Sequence, residues 1–197
     1  MATRRRDIPQ HYYTLEEYFA LEKASDARFE YWDGDILCMS GGSEAHSRIS
    51  SRVHFRVSQR LEGGRCQAFT GDLPIKTPTL PPYRYPDVTI ACGQLVFEHI
   101  QNVDALVNPT AIIEVLSPTT SDHDRNEKFK AYKAISSFTD YILIAQDMPH
   151  VTHHVREPDG SWARRDLGGL DAVLAIDSID CALALAEIYE GVSFDAD

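Results

Sequence analysis

The stretch AIIEVLSPTTSDHDRNEKFKAYKAISSFTDYILIA, residues 111–145, decides the fold of this chain. It begins with a nearly continuous apolar run at 111–116 and ends with a second run at 141–145. Such runs are typical of strands that are buried on both faces. Residues 122–135 between them have helical spacing, and a strand–helix–strand crossover joins parallel strands. The sequence therefore predicts a parallel pair of strands with a helix packed against it.

The sequence on both sides of this crossover predicts antiparallel strands and further helices. Thr14 and Glu17 form a capping box for a first helix, the Asp33-Gly34 dipeptide suits a hairpin, and Ser43 caps a second helix. The other predicted elements are strands at 66–70, 73–76, 87–91, 151–155 and 161–166, a loop or edge at 77–86, and a final helix at 182–189. These elements predict a mixed α/β fold, in which helices flank a mixed central sheet.

Length and composition are typical of one ordinary globular domain. The chain has 197 residues, of which 43% are apolar and 25% charged. We predict a single domain over residues 1–197, with its core at about 12–190. The sequence contains no run of 18 apolar residues that could span a bilayer. Because the basic start of the chain is not followed by an apolar stretch, it does not resemble a signal peptide, and we expect a cytoplasmic protein.

The cysteines are scattered along the chain, at Cys38, Cys66, Cys92 and Cys181, and no two of them form a C-x-x-C pair. This spacing disfavours both a zinc site and a disulfide framework. We expect four buried free thiols.

The formal net charge of −11 opposes tight binding to a polyanion unless the basic residues are concentrated on one face. Four arginines recur at every fourth residue of the second predicted helix: Arg48, Arg52, Arg56 and Arg60. This arginine stripe is the best candidate in the sequence for a nucleic-acid-binding surface. A solvated helix face is the alternative interpretation.

Glu114 interrupts the first apolar run with a carboxylate. Because burying an unpaired charge is costly, Glu114 needs a cationic or donor partner, unless it lies at the open end of the strand beside Ser117. Ligands of open α/β sheets bind outside the carboxyl ends of such strands, which favours a functional site here. A structural salt bridge is the alternative.

Asp87 is a second carboxylate at a strand, since it precedes a β-branched run and follows Pro86. On its own it is typical of a cap or a turn. If Asp87 and Glu114 converge, their oxygens would be suitable ligands for Mg²⁺ or Mn²⁺.

A helical wheel of the crossover helix places Lys128 in the middle of the apolar face, together with Asp124 and Tyr132 at four-residue steps. Lys130 lies on the solvent side. Since this helix packs on the sheet, we expect Lys128 to approach Glu114. Two carboxylates and a lysine are the minimum set for metal-assisted phosphodiester hydrolysis.

Six segments occur in order along the chain: Arg28-Phe-Glu-Tyr-Trp-Asp-Gly34, His46, Tyr85-Pro-Asp87, IEVLSPTT at 113–120, Asp124-x-x-x-Lys128-x-x-x-Tyr132, and Asp140-Tyr-Ile-Leu143. In this order they resemble the Uma-two (Uma2) family of predicted restriction endonucleases, within the PD-(D/E)xK nuclease superfamily. The resemblance implies a restriction-endonuclease-like fold and DNA as the substrate. It also implies Asp87 and Glu114 as metal ligands, Lys128 as the catalytic lysine and Glu30 as a supporting acid.

The chain departs from the superfamily pattern at one position. An E-x-K motif would place a lysine two residues after Glu114, where this chain has Leu116. The following helix supplies Lys128 instead. His46 is a further candidate, either to contact a phosphate or to brace a carboxylate, and Asp124 and Tyr132 are candidate supporting residues.

The sequence thus predicts a Mg²⁺- or Mn²⁺-dependent endonuclease that acts on DNA. Double-strand cutting would favour a homodimer, because two-fold symmetry presents one site to each strand. Two alternatives stay open. The fold could serve as a catalytically inactive binding or assembly module, or as a metal-dependent phosphohydrolase of small nucleotides, for which the acidic charge is a smaller handicap.

Overall fold

The computed structural model describes most of the chain, at residues 12–25, 27–32, 34–39, 42–79, 83–100, 103–117, 121 and 124–194. The chain divides into two compact units, Met1–Ser40 and Gly41–Asp197. The expectation of one domain over the whole chain stays a prediction.

The first unit contains helix α1 (Leu15–Ala24) and a hairpin of strands β1 (Phe29–Trp32) and β2 (Asp35–Cys38). The predicted capping box between Thr14 and Glu17 begins the helix. Gly34 has φ +90°, a conformation that side-chain-bearing residues rarely adopt, and it precedes β2 at the turn. The predicted helix and hairpin are confirmed.

The second unit contains the remaining helices and strands. In chain order they are α2 (Glu44–Leu61), β3 (Cys66–Thr70), β4 (Ile75–Lys76), β5 (Tyr83–Arg84), β6 (Val88–Cys92), β7 (Phe97–Ile100), β8 (Val103–Leu106), β9 (Ala111–Leu116), a π-helical turn (Asp124–Lys128), α3 (Phe129–Tyr132), β10 (Asp140–Ala145), β11 (His150–Arg156), β12 (Trp162–Gly168), β13 (Val173–Ile176), a 3₁₀ turn (Asp177–Ile179), β14 (Cys181–Ala184) and α4 (Leu185–Ile188).

A six-stranded sheet with the strand order β12-β11-β10-β9-β6-β3 forms the centre of this unit. β9 and β10 pair in parallel, in the register Ala111↔Asp140, and all six residues of each strand are buried. The other pairs of this sheet are antiparallel. The predicted mixed sheet and its parallel crossover are therefore confirmed.

Two apolar layers cover the sheet. On one face, α2 contributes Ile49, Val53 and Val57 to a core that also contains Ile113 of β9. On the other face, α3 packs Phe129 and other residues against a second core. Since neighbouring residues of a strand point to opposite faces, Glu114 points toward the α3 side.

The crossover helix differs from the prediction in its first turn. We predicted a regular helix over 122–135; among the described residues a π-helical turn precedes α3, and residues 133–135 follow α3 as a turn. A wheel drawn at 100° per residue assumes α-helical bonding, which a π-helical turn does not have. The wheel nevertheless placed Lys128 on the side of the segment that faces the core. The structure confirms this placement, since Lys128 is buried.

Two smaller sheets include segments for which we predicted either no element or a different one. β5, β4, β8 and β7 form a four-stranded sheet, and β5 is an edge strand of it, which agrees with the predicted loop or edge at 77–86. β13 and β14 form a hairpin. The predicted final helix at 182–189 was wrong over its first residues, since Cys181–Ala184 is a strand and the helix covers only Leu185–Ile188.

The prediction of four buried free thiols was also wrong. Cys66 and Cys92 are directly opposite in the β3–β6 pair and form a disulfide. Their separation of 26 residues carries no signal of this pairing, which depends on strand register. Cys181 is a buried free thiol as predicted, whereas the Cys38 thiol is free and exposed.

No helix in the described part of the chain is both long enough and apolar enough to cross a membrane.

Candidate active site

The predicted partner of Glu114 is present in the structure. Nζ of Lys128 lies 3.2 Å from Oε1 of Glu114, and the hydroxyl of Tyr132 donates to the same oxygen at 3.0 Å. Glu114 and Lys128 are each 3% exposed. A buried carboxylate thus receives a charged donor and a neutral donor from one helical segment, which offsets the cost of removing it from water.

The π-helical turn places a second carboxylate on the same lysine. Oδ1 of Asp124 lies 3.1 Å from Nζ of Lys128, and this pair is also buried. The hydroxyl of Tyr141 donates to the main-chain oxygen of Asp124 at 2.9 Å, so β10 anchors the start of the turn. The ammonium group of Lys128 is therefore shared by two acids.

Asp87 comes just before β6, at the point where the ladder between β6 and β9 ends with the pair Val88↔Ile113. Beyond that pair, Oδ2 of Asp87 accepts a hydrogen bond from the amide of Val115 at 2.7 Å. The side chain of Asp87 thus replaces a main-chain acceptor beside Glu114. Gly71 lies close by, since a Cβ there would lie 3.2 Å from the oxygen of Pro86.

His46, in the first turn of α2, reaches Asp87 from the opposite layer. Its Nε2 lies 3.3 Å from Oδ2 of Asp87, and the two side chains are 22% and 21% exposed. The hydrogen bond to Asp87 raises the pKa of His46 above its usual 6.5, although burial opposes this change. Of the two roles predicted for His46, the structure shows contact with a carboxylate.

The electrostatics of the site are dominated by negative charge. Among the residues that the structure describes, the carboxylates of Asp87, Glu114 and Asp124 lie near the ammonium group of Lys128, with His46 at the edge. Burial and the nearby charge of Glu114 raise the pKa of Tyr141 well above 10, so the Tyr141 hydroxyl stays a donor. An excess of carboxylates over cations favours the binding of a cation from solution.

The donor set fits a hard divalent cation that keeps much of its water. Within the described segments, no three His, Cys, Asp or Glu side chains are grouped so that they could hold a metal ion by themselves. Mg²⁺ is commonly bound by one or two carboxylates, several waters and the phosphates of a substrate, rather than by a complete protein cage. Asp87 and Glu114 match that mode.

The arginine stripe on α2 forms ion pairs with two glutamates of the same unit, Glu187 of α4 and Glu190 just after it. Arg60 lies 2.6 Å from Glu187, and Arg52 lies 3.2 Å from Glu190. Arg56 contacts both glutamates, and Arg48 pairs with Glu44. These ion pairs neutralise much of the positive charge, which counts against the stripe as a nucleic-acid surface; that role stays a prediction.

Glu30 is buried on β1 in the first unit, and its role as a supporting acid stays a prediction. His153 and His154 point to opposite faces of β11: His153 contacts Asp140 at 2.7 Å, whereas His154 packs against Phe129.

Sequence reasoning missed two contacts of this site. The bond from the Val115 amide to Asp87 depends on where a strand ladder ends, which no local pattern reveals. The bond from Tyr141 to Asp124 had a detectable signal, since Tyr141 is the only hydroxyl-bearing side chain in the apolar run at 141–145.

The sequence and the fold of this chain are similar to those of known proteins. A sequence model of the Uma2 family, described as "Putative restriction endonuclease", matches residues 15–186. The uncharacterized Synechocystis protein slr1290 is 32% identical over 179 residues, which cover 91% of this chain and 92% of that protein. A second uncharacterized Synechocystis protein, sll1609, is 28% identical over 159 residues, which cover 81% and 89%.

A crystal structure of an Anabaena variabilis protein, described as a putative nuclease belonging to DUF820, superposes with a TM-score of 0.69. The match covers 89% of this chain and 97% of that one at 20% identity, so the likeness concerns the fold. It confirms the predicted mixed α/β, restriction-endonuclease-like fold. Because the family model covers most of the sequence, the chain belongs to the Uma2 family.

Proposed function

We propose that this protein is a divalent-metal-dependent endonuclease that hydrolyses phosphodiester bonds in DNA. The observation that supports this most directly is the buried contact between Lys128 and Glu114, next to Asp87 on the neighbouring strand. A buried ion pair contributes little net stability compared with well-packed apolar residues. Glu114 lies two residues before the carboxyl end of the central strand β9, and ligands of open α/β sheets bind near such ends. The description of the Uma2 family supports the same class of reaction.

Asp87 and Glu114 would hold the metal ion, which is Mg²⁺ or Mn²⁺ in this proposal. When bound, such an ion lowers the pKa of coordinated water and offsets the negative charge of the phosphate. The carboxylates of this chain contribute the negative charge that attracts the ion.

In this proposal Lys128 is the positively charged side chain that contacts the attacking water or the substrate phosphate. Its ammonium group would donate a hydrogen bond to the attacking water or to a phosphate oxygen, where negative charge increases in the transition state. In this reaction the water oxygen would form a bond to phosphorus and release a proton to solvent, the bond from phosphorus to the leaving oxygen would break, and the leaving oxygen would take up a proton from solvent. Asp124 and Tyr132 would keep Lys128 and Glu114 in place.

Two further features belong to the proposal rather than to the observed geometry. Glu30 would act as a supporting acid, as the family resemblance implies. A homodimer would present two sites to the two strands of DNA. Sedimentation equilibrium should then give twice the chain mass of 22.2 kDa.

Plasmid nicking tests the proposal. Wild-type protein should convert supercoiled plasmid to nicked or linear DNA with Mg²⁺ or Mn²⁺, but not with EDTA. The Glu114→Gln variant should be inactive under the same conditions. Absence of cleavage by folded wild-type protein with either metal would contradict the proposal. A screen of small nucleotides on the same samples would then distinguish a phosphohydrolase from a non-catalytic module.

A further inference from the structure

Resting on the proposed metal site, we infer that His46 is a positioning residue: together with the amide of Val115 it holds Oδ2 of Asp87, so that Oδ1 is left to bind the divalent cation.

The contacts of Asp87 are divided unequally between its two oxygens. Oδ2 accepts from the Val115 amide at 2.7 Å and lies 3.3 Å from Nε2 of His46. Within the residues that the structure describes, Oδ1 has no such partner, and the side chain is 21% exposed. Two donors on one oxygen fix the rotation of the carboxylate, and the other oxygen stays accessible to an ion.

The imidazole of His46 is held firmly enough to perform this role. The hydroxyl of Ser43 caps α2 by accepting from the amide of His46 at 3.0 Å, and Ile49, one turn later, is fully buried. Gly42 packs against the ring, since a Cβ at that position would lie 3.1 Å from Nδ1. α2 thus places the ring between Gly42 and Asp87.

A partner that orients a metal ligand typically changes metal affinity by about 10- to 100-fold when it is removed. We therefore expect His46→Ala to weaken Mn²⁺ binding by about tenfold or more. His46→Gln keeps an N–H donor and should recover most of this loss. His54→Ala is the matched control, because His54 lies on the same helix and makes no contact with Asp87 among the described residues.

The experiment measures Mn²⁺ binding to the full-length protein without DNA by electron paramagnetic resonance, with thermal unfolding of each variant as a check of folding. Weakening in His46→Ala, recovery in His46→Gln and no change in His54→Ala support the inference. Wild-type affinity in His46→Ala, or equal losses in His46→Ala and His46→Gln, would overturn it. Spin-echo modulation from a nitrogen bound directly to Mn²⁺ at His46 would also overturn it, because His46 would then be a ligand.

The binding experiment separates this inference from the proposed function. If Mn²⁺ binding depends on His46 but plasmid is not cleaved, the positioning role stands and the endonuclease proposal fails. If wild-type protein binds no Mn²⁺ at millimolar concentration, both are overturned.

Discussion

Lys128 is the residue on which the proposed chemistry depends most, because its ammonium group is the buried cation between Glu114 and Asp124. Lys130, two positions later, is exposed and makes no ion pair in the described part of the chain. Comparing a variant of each lysine therefore distinguishes a specific role of Lys128 at the site from a general effect of removing positive charge.

We expect Lys128→Met to lower the rate of metal-dependent nicking by about 10²- to 10³-fold, which is the usual effect of removing one transition-state donor. Methionine keeps much of the buried apolar stem. Lys130→Met should cleave at nearly the wild-type rate. Rates are measured by plasmid nicking at a temperature where thermal unfolding shows both variants folded. Wild-type nicking by Lys128→Met would show that the catalytic cation comes from another residue.

At the scale of single residues, the sequence predicted the contact between Lys128 and Glu114 but not the contacts of Asp87. Alternation along the apolar run identified Glu114, and helical spacing identified Lys128, since both signals are local. The partners of Asp87 depend on the register of distant segments, so His46 was predicted only in general terms, and the Val115 amide was missed. The disulfide between Cys66 and Cys92 was missed for the same reason.

At the scale of helices and strands, the start of β10 contains a second buried polar network. Asp140 accepts hydrogen bonds from Thr139 and from Ser178 of the 3₁₀ turn, and it contacts His153 of β11. Burial alone would raise the pKa of Asp140, but the contacts with His153, Ser178 and Thr139 outweigh it and lower the pKa below 3.8. The charged form of Asp140 is therefore favoured by folding.

This network predicts a pH-dependent contribution to stability. A carboxyl group whose pKa is lowered by folding stabilises the protein above its unfolded pKa, and the contribution is lost as pH falls through the folded value. We expect Asp140→Asn to lower the free energy of unfolding at pH 7 by about 1–3 kcal/mol. The difference from wild type should shrink between pH 4 and pH 2. Urea denaturation measures both.

Asp171→Asn is the control for this pH series, because Asp171 is exposed and should unfold like wild type at each pH. A difference between Asp140→Asn and wild type that does not change with pH would show that folding does not lower the pKa of Asp140.

The contacts between α2 and α4 predict how the arginine stripe behaves toward DNA. Because Glu187 and Glu190 already neutralise Arg52 and Arg56, Arg52→Gln/Arg56→Gln should leave the salt dependence of DNA affinity unchanged. Glu187→Gln/Glu190→Gln should steepen it, by up to about 0.9 in log–log slope for each phosphate newly contacted. Fluorescence anisotropy between 50 and 200 mM salt measures the slopes. A flatter slope in the arginine variant would mean that the stripe binds phosphate.

The sequence predicted long buried elements more reliably than short peripheral ones. β9 and β10 are nearly continuous apolar runs and α2 has helical periodicity over 18 residues, and the structure confirms all three. β7, β8 and β13 are four residues each, too short for a pattern, and they were missed. In the predicted crossover helix, Asp124–Lys128 is a π-helical turn and not regular α-helix. Asp124 and Lys128 are both buried in this turn.

At the scale of the whole molecule, the net charge of −11 sets the conditions under which DNA can bind. An acidic protein repels a polyanion at long range, and the described arginines of α2 are paired with acids. A metal ion shared between the carboxylates and a phosphate would change this balance locally.

We therefore expect DNA affinity to depend on the metal ion. Lys128→Met, which should bind without cleaving, is titrated with labelled duplex in Mn²⁺ and in EDTA at equal ionic strength. Affinity should be about tenfold or more higher with Mn²⁺, because the ion supplies the positive charge that the protein lacks. Equal affinity in both buffers would place DNA binding on another surface.

The most direct test of the central claim is the anomalous scattering of Mn²⁺ in crystals of the wild-type protein soaked with millimolar MnCl₂. We expect an anomalous peak in coordination contact with oxygens of both Asp87 and Glu114, with Nζ of Lys128 within a few ångströms of it. Fully diffracting soaked crystals without a peak at these two carboxylates, or with a peak only at other residues, would contradict it.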